Sequence, residues 1–454
     1  MPDTAEIVIV GAGLAGIAAA YHLAARRAAR RVVLIDEREP LTLTSDKGTQ
    51  AYRNWWPGPD ATMLRYMTRS IDLLEEMADE SGNAFRLNRR GYVFVTADDE
   101  GVDRLRATAR EVSTFGMGEL REHAGSSTSY QAAPPEGYAE QPNGADLLDG
   151  AAARRAFPGL APDAKAALHV RRAGWLNANA LGAWMLKRAL GAGVTFVKDR
   201  VTAIETEGGR LSGVRLASGT TIDCGRVAIA AGPGLPDVAR MLDLELPLFH
   251  ELHAKLTMRD ARRVVDRTIP FLIWNDPIEL PWTDQERAAF RTDPDGARLL
   301  HPFPGGVHLR PVDGPHGDEL YIIWTYDVEP RAFAWPPRFD PHYGEVAIRG
   351  LARMLPAMKA YFGHADRGFV DGGYYCKTRE NRPLVGPLPV EGAYVLGALS
   401  GYGIMGSHAG ADLLASHLTS ARLPEYASWF LPSRYDDAGY REEIESWGAN
   451  VGQL

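Results

Sequence analysis

Residues 5–37 constrain the fold more than any other part of the chain. An apolar run, Ala5-Glu-Ile-Val-Ile-Val10, leads straight into Gly11-Ala12-Gly13-Leu14-Ala15-Gly16. An alanine-rich stretch of helical character follows, and a second apolar run, Arg31-Val-Val-Leu-Ile-Asp36-Glu37, ends on acids. Strand, glycine turn, helix, strand and carboxylate in this order are the parts of a βαβ unit that binds a dinucleotide. Gly11 permits the tight turn, Gly13 lets the backbone approach a pyrophosphate, and Gly16 lets the helix pack closely on the strand. The helix N-terminus offers amide groups and the positive end of its dipole to the phosphates. Asp36 lies 20 residues beyond Gly16, where a carboxylate can take both hydroxyls of an adenosine ribose, with Glu37 next to it. An ordinary βα turn would account for the glycines alone; it would not account for the acid.

At 454 residues the chain exceeds one comfortable hydrophobic core, so two domains are expected. A net charge of −8 argues against nucleic acid and against an anionic membrane surface as partners. Cys224 and Cys376 are the two cysteines; they match no metal or CxxC spacing and suit a reducing compartment. No charged region with a cleavable apolar segment precedes the strand at Ile7, and no uncharged apolar stretch approaches the ~20 residues that span a bilayer. The expectation is a soluble cytoplasmic protein.

Beyond the first unit, residues 41–58 are rich in hydroxyls and lack a helical period. A helix is predicted over 62–77, with Met63, Met67, Ile71 and Leu74 on one face. Gly91–Thr96 reads as a strand, and the polar, turn-forming residues 125–145 as a surface loop, a lid or a linker. From residues 174–179 onward a helix runs to about 190 and precedes strands at 194–197, 201–206 and 211–216, and Arg226–Gly234 reads as a buried strand ending in a glycine turn. From 246 to 326, strands separated by long Pro-rich loops suggest a mostly antiparallel sheet. A strand at 393–399, a turn at 400–403 and a helix over 404–418 close the pattern. The fold class expected is α/β: a discontinuous Rossmann-like dinucleotide-binding domain (1–88, 172–245 and 366–454) with a second, substrate-binding domain of mostly antiparallel sheet and flanking helices (89–171 and 246–365).

The turn Ser400-Gly401-Tyr402-Gly403-Ile404-Met405 opens the last apolar helix. By itself a plain strand-to-helix turn explains it equally well. Beside a dinucleotide fingerprint it points to a flavin, because reduced flavin carries negative charge over N1 and the C2 carbonyl, and a helix N-terminus aimed there stabilises that charge. Nicotinamide has no such need, which favours FAD over NAD.

Gly11–Gly16, Ala230-Ala231-Gly232, Thr378-Arg-Glu-Asn-Arg-Pro-Leu-Val-Gly-Pro387 and Ser400–Gly403 occur in this order along the chain. The combination resembles the glycine oxidase, sarcosine oxidase and D-amino acid oxidase superfamily, and within it the sarcosine oxidase and dimethylglycine dehydrogenase branch. The resemblance covers nearly the whole length. It implies FAD and removal of a hydride from a C–H beside an amine nitrogen, giving an iminium that water hydrolyses. Thr44, Ser45, Lys47, Gly48 and Thr49 would lie along the pyrophosphate and ring, and the backbone of Val201 against adenine. Arg53 matches the position that holds a substrate carboxylate; a structural salt bridge is the alternative. Tyr375 matches an aromatic that closes the substrate pocket. His308 and Arg310 alternate on one strand face, with Tyr326 further on, as pocket positions or sheet packing.

The departures from the family are informative. Gly373 stands where some sarcosine oxidases attach flavin through a Cys, and Cys376 aligns with a Thr. Asp46 and Lys47 occupy the early loop where related dehydrogenases use a His. FAD is therefore expected to be held non-covalently. Met405 matches a second carboxylate-binding Lys, and Tyr321–Tyr326 has no counterpart of an oxygen-activating Lys, so His308 or Arg310 is left to supply that charge. The expected substrate is a small secondary or N-methylated amine or amino acid, with O2 or another electron acceptor. Alternatives are oxidation of a primary amino acid or a tailored natural-product amine, or a flavoprotein subunit of a heteromeric complex. Trp55-Trp56 reads as pocket wall or core, His250-Glu-Leu-His253 as a strand with no metal role, and Arg26, Arg27, Arg30 and Arg31 as the solvated end of a helix.

Overall fold

The computed structural model describes residues 2–125, 129–293, 296–312 and 317–447; residues 126–128 of the polar stretch singled out above lie outside them. Thr195–Lys198, Val32–Asp36, Ile7–Val10, Val227–Ile229, Ala393–Gly397 and Leu384–Pro387 form one six-stranded sheet in that order. All pairings are parallel except the last. A parallel sheet is buried on both faces, so its central strands are apolar throughout. Alternation along Ile7–Val10 sends Ile7 and Ile9 into one core and Val8 and Val10 into another. The first core is made with helices Leu14–Ala20, Thr62–Ser81, Ala178–Gly191 and Gly403–Leu418. The second is closed by a four-stranded sheet that includes Val201–Glu207, Arg210–Leu216 and Thr221–Cys224.

The second large sheet has nine strands. Its order is Phe369–Lys377, Phe249–Arg259, Glu319–Ile323, His308–Pro311, Phe271–Trp274, Tyr92–Thr96, Ala166–Val170, Ala145–Asp149 and Leu120–His123. Its pairings are antiparallel except for Phe271–Trp274 with Tyr92–Thr96 and Leu120–His123 with Ala145–Asp149. Phe369–Lys377, grouped by the sequence reading with the nucleotide-binding segments, pairs along its whole length with Phe249–Arg259.

Asp99–Thr114, Asp284–Thr292 and Tyr343–Met354 are among the helices that lie where the sequence reading had none. Asp99–Thr114 starts on Asp98, whose side chain accepts the Gly101 N–H, and buries Leu105, Ala109 and Val112. Asp284–Thr292 sits in the Pro-rich stretch and opens on a Thr283–Glu286 capping box. Tyr343–Met354 covers the nine-stranded sheet with Val346, Ala347, Leu351 and Met354. The helix predicted over 62–77 runs to Ser81 and stops at Gly82, which takes the left-handed conformation at φ 63°.

The basic cluster at 26–31 does more than face solvent. Arg26 pairs with Glu76 and Glu80 at 2.7 Å each, and Arg27 with Asp412 at 2.7 Å, so two of its members tie neighbouring helices together. No helix among the described residues is long and apolar enough to cross a membrane.

Candidate active site

A continuous cavity begins at the C-terminal ends of the parallel strands, where the backbone of an α/β sheet leaves a crevice. Gly11 bends the chain at φ 108°, and a Cβ there would meet the Ala230 carbonyl oxygen at 2.5 Å. A Cβ on Gly16 would stand 1.9 Å from the Gly11 oxygen, so helix and turn are in backbone contact. Gly13, by contrast, faces open space, with Ser45 Oγ the nearest atom at 3.4 Å from a Cβ built on it. Gly11 and Gly16 are thus packing glycines, while Gly13 leaves room beside the turn. Ser45 reaches over the turn and accepts the Leu14 N–H at 3.0 Å.

Asp36 lines the far end of this crevice. Its Oδ2 accepts the Ala12 N–H at 2.7 Å and its Oδ1 the Arg38 N–H at 2.9 Å. Burial raises its pKa above the ordinary carboxylate value despite these two hydrogen bonds.

The cavity continues past Ala231 and Gly232 to the start of the last helix, where Gly401, Tyr402, Gly403, Ile404 and Met405 line it. Gly401 sits at φ 84°, and a Cβ on it would lie 2.1 Å from the Tyr375 ring. Tyr402 is anchored by its hydroxyl to the Asn381 carbonyl. This is how the Thr378–Pro387 motif, remote in sequence, sets the position of the Gly401–Gly403 turn.

Arg53, Tyr92, His253, His308, Thr325 and Tyr375 also line the cavity. Arg53 lies on a short strand paired with Ala173–Trp175 and is 5 % exposed. Its Nε donates to the Trp55 carbonyl at 3.1 Å, its guanidinium lies 4.5 Å from the Trp56 ring centroid, and it hydrogen-bonds the Tyr92 hydroxyl. Trp56 is therefore a stacking support for Arg53. His308 Nδ1 is hydrogen-bonded to the Gly306 carbonyl at 2.7 Å, and burial pushes its pKa down to about 4. It is neutral near neutral pH in this structure, so it can supply positive charge only if an anionic partner raises its proton affinity.

Several expected site residues lie elsewhere. Tyr326 points away: its hydroxyl donates to Asp340 at 3.2 Å, and its ring packs against Phe303, Trp324 and Tyr343. Ile323, the last residue of its strand, and Thr325 line the cavity, while Trp324 and Tyr326 pack on each other and do not line it. Arg310 shares the His308 face but is drawn to the Thr49 carbonyl and the Trp175 and Tyr321 rings. Lys47 is engaged by Asp46 at 3.1 Å and Asp371 at 3.5 Å and is not among the cavity-lining residues. Val201 opens its strand with a buried side chain in the second core, and neither it nor Glu37 lines the cavity. Ala12 serves through its amide to Asp36.

Ser45, Gly48 and Thr49 do line it, as do Leu14 and Ala15. Tyr92, His253 and Thr325 were not singled out as site residues from sequence. The alternation of Tyr92-Val-Phe-Val-Thr96 was readable, but which face looked onto a site was set by a sheet assembled from distant segments.

The chain matches the family model described as FAD dependent oxidoreductase over residues 6–417. It belongs to the DAO family of FAD-dependent oxidoreductases. FAD is thus the cofactor whose phosphates, ribose and ring the crevice has to take, and the open cradle at Gly13, the Asp36 carboxylate and the helix start at Gly403 fit it. Mitochondrial dimethylglycine dehydrogenase of Rattus norvegicus is 24 % identical over 413 residues, covering 90 % of this chain and 42 % of that protein. The Mus musculus protein of the same name is 24 % identical over 460 residues, covering 99 % and 47 %. The chain therefore spans less than half the length of these curated relatives. Among solved structures, L-proline dehydrogenase from P. horikoshii superposes with a TM-score of 0.74 at 19 % identity, covering 96 % of this chain and 99 % of that one. Glycine oxidase from Geobacillus kaustophilus gives 0.70 at 16 % identity, covering 94 % and 98 %. These superpositions establish a shared fold.

Proposed function

We propose that this flavoprotein oxidises a C–N bond of a small secondary or N-methylated amino acid. The observation that carries the reading is one cavity lined both by Asp36 and by the buried Arg53. Arg53, Tyr92, His308 and Tyr375 line the same cavity and are the residues proposed to face the substrate. Arg53 offers a planar fork to a carboxylate, and its stacking on Trp56 holds the fork in place. Tyr375, pressed against Gly401, closes the wall beside the turn proposed to face the flavin ring.

Bound FAD supplies the acceptor for a hydride from the carbon beside the amine nitrogen. The chain's own part is to anchor the carboxylate, orient the C–H and exclude water. The iminium that leaves is hydrolysed by water. We propose that the six-stranded sheet carries FAD and the nine-stranded sheet the substrate, that the FAD is not covalently attached, and that the protein works in the cytoplasm. Two buried free thiols, Cys224 and Cys376, support a reducing setting. Anaerobic mixing of the yellow holoprotein with a panel of N-methyl amino acids, cyclic imino acids, primary amino acids and polyamines tests the reading. Bleaching by the carboxylate-bearing secondary amines supports it, and bleaching confined to polyamines would overturn it.

A further inference from the structure

The inner wall of the cavity holds a side-chain array that anchoring a cofactor and a carboxylate does not use. His253 projects from the long strand Phe249–Arg259 and stacks on Tyr375, with ring centroids 3.9 Å apart and planes inclined by 21°. Its Nε2 lies 2.9 Å from Glu251 Oε2, and its Nδ1 lies 3.2 Å from Thr325 Oγ1. Both Glu251 oxygens accept from Lys377 Nζ at 2.9 Å. Glu251, His253 and Lys377 are buried, while Thr325 is half-buried and lines the cavity beside His253.

The hydrogen-bond directions follow from charge. Burial alone would raise the Glu251 pKa, but the His253 hydrogen bond and the Lys377 ammonium outweigh it and hold the carboxylate below its ordinary value. An ionised carboxylate only accepts, so His253 Nε2 carries a hydrogen and donates to it. Burial lowers the His253 pKa, and Lys377 opposes a second proton while Glu251 and Asp327 favour one. Burial also lowers the pKa of His308, which lies two strands away across Glu319–Ile323, and the Tyr375 phenol beneath the ring is pushed up to about 12 by burial. His253 is thus neutral at rest, and its Nδ1 accepts the Thr325 hydroxyl. The Thr325 oxygen keeps a lone pair for a donor in the cavity.

We propose that Thr325 and His253, with Glu251 behind them, form a proton relay that takes the proton from a substrate ammonium bound in the cavity. The proposal rests on the amine-oxidising reading above. A hydride leaves readily only from a carbon beside a neutral nitrogen, yet a small alkylamine in water is protonated at neutral pH, with a pKa near that of lysine at about 10. In the relay one substrate N–H bond breaks and its proton goes to Thr325 Oγ1. The Thr325 hydroxyl proton passes to His253 Nδ1, forming an imidazolium against Glu251, and no electrons change hands. The substrate nitrogen regains its lone pair, and the imidazolium later returns its proton to solvent. Thr325 and His253 are the catalytic pair; Glu251 and Lys377 are positioning residues that fix the tautomer and offset the new charge.

The test is the pH dependence of the limiting rate of anaerobic flavin reduction in the holoenzyme, with the N-methyl amino acid that bleaches wild type fastest. Removing the relay forces the bound ammonium to lose its proton to water. Thr325→Val and His253→Gln are therefore expected to move the acid limb of the profile upward by about one pH unit or more, with rates converging on wild type at high pH. Thr325→Ser should restore the wild-type profile. Variant rates lowered by one constant factor at every pH, or profiles unchanged, would overturn the relay while leaving the amine-oxidising reading intact. No bleaching by any amine at any pH would overturn that reading and the relay with it.

Discussion

The Asp36 carboxylate accepts the Ala12 N–H at 2.7 Å and so ties the end of the second strand to the middle of the glycine turn. The same group is the one proposed to take the adenosine ribose hydroxyls, so it both shapes the crevice and recognises what enters it. Asp36→Ala is expected to weaken FAD binding by roughly 1.5–3 kcal/mol, the worth of hydrogen bonds to a charged group. Asp36→Asn keeps an acceptor for Ala12 and should recover part of that loss. Fluorescence titration of the apoprotein with FAD measures both, and unchanged affinity in Asp36→Ala would remove the carboxylate from the site.

The flavin is expected to be released intact by acid. A side chain at Gly373 would meet Thr44 at 3.1 Å, so the wall is closed where a linking Cys would stand. Lys47, in the early loop, is occupied by Asp46 and Asp371. Acid precipitation should leave a yellow supernatant and a colourless pellet. Colour that stays with the washed pellet would show a covalent bond.

Arg53→Met should bind FAD as wild type does but reduce it slowly with carboxylate-bearing amines. Displacing a reacting C–H by ~1 Å costs on the order of 10²-fold in rate. Stopped-flow reduction under anaerobic conditions gives the comparison. Reduction as fast as wild type would show that Arg53 does not orient the substrate.

Acid stability should depend on Asp146, which lies far from the proposed chemistry. It is hydrogen-bonded by Arg121 at 2.8 Å, by His123 at 2.7 Å and by Arg171. Burial by itself would raise its pKa, yet these donors hold it well below the ordinary carboxylate range. A carboxyl whose folded pKa lies below its unfolded value of about 3.9 contributes stability above that pH and loses it as pH falls toward the folded value. Asp146→Asn is expected to cost about 3–5 kcal/mol at neutral pH, as for a broken buried ion pair, and to flatten the loss of Tm below pH 4. An unchanged acid limb would show that other carboxylates govern it.

Sequence reading captured what is local. The first βαβ unit, the helix at 403–418 and the strands at 201–216 depend on near-neighbour patterns, and they lie where the spacing placed them. It missed the helices Asp99–Thr114 and Asp284–Thr292, although each has an acid or a capping box at its start. Both are rich in charge: Asp99–Thr114 buries only Gly101, Leu105, Ala109 and Val112, and Asp284–Thr292 buries none of its residues, so neither carries a strong apolar period. Of the two readings open for Tyr326, packing holds: it lies against Phe303, Trp324 and Tyr343 while its neighbour Thr325 lines the cavity, a choice set by segments distant in sequence. His253 was weighed only as a metal ligand. Its partner Lys377 ends the adjacent strand Phe369–Lys377 and Thr325 follows the end of Glu319–Ile323, and that meeting of distant segments is not legible along the chain.

The central claim is best tested by the anaerobic reduction rate of the holoenzyme with an N-methyl amino acid, its primary amino-acid counterpart, and the corresponding N-methylamine lacking the carboxylate. The account predicts full bleaching of the flavin band by the first. It predicts slower bleaching by the second, and the slowest by the third because Arg53 has nothing to hold. Flavin that stays oxidised with all three, or that the carboxylate-free amine reduces fastest, would contradict the account.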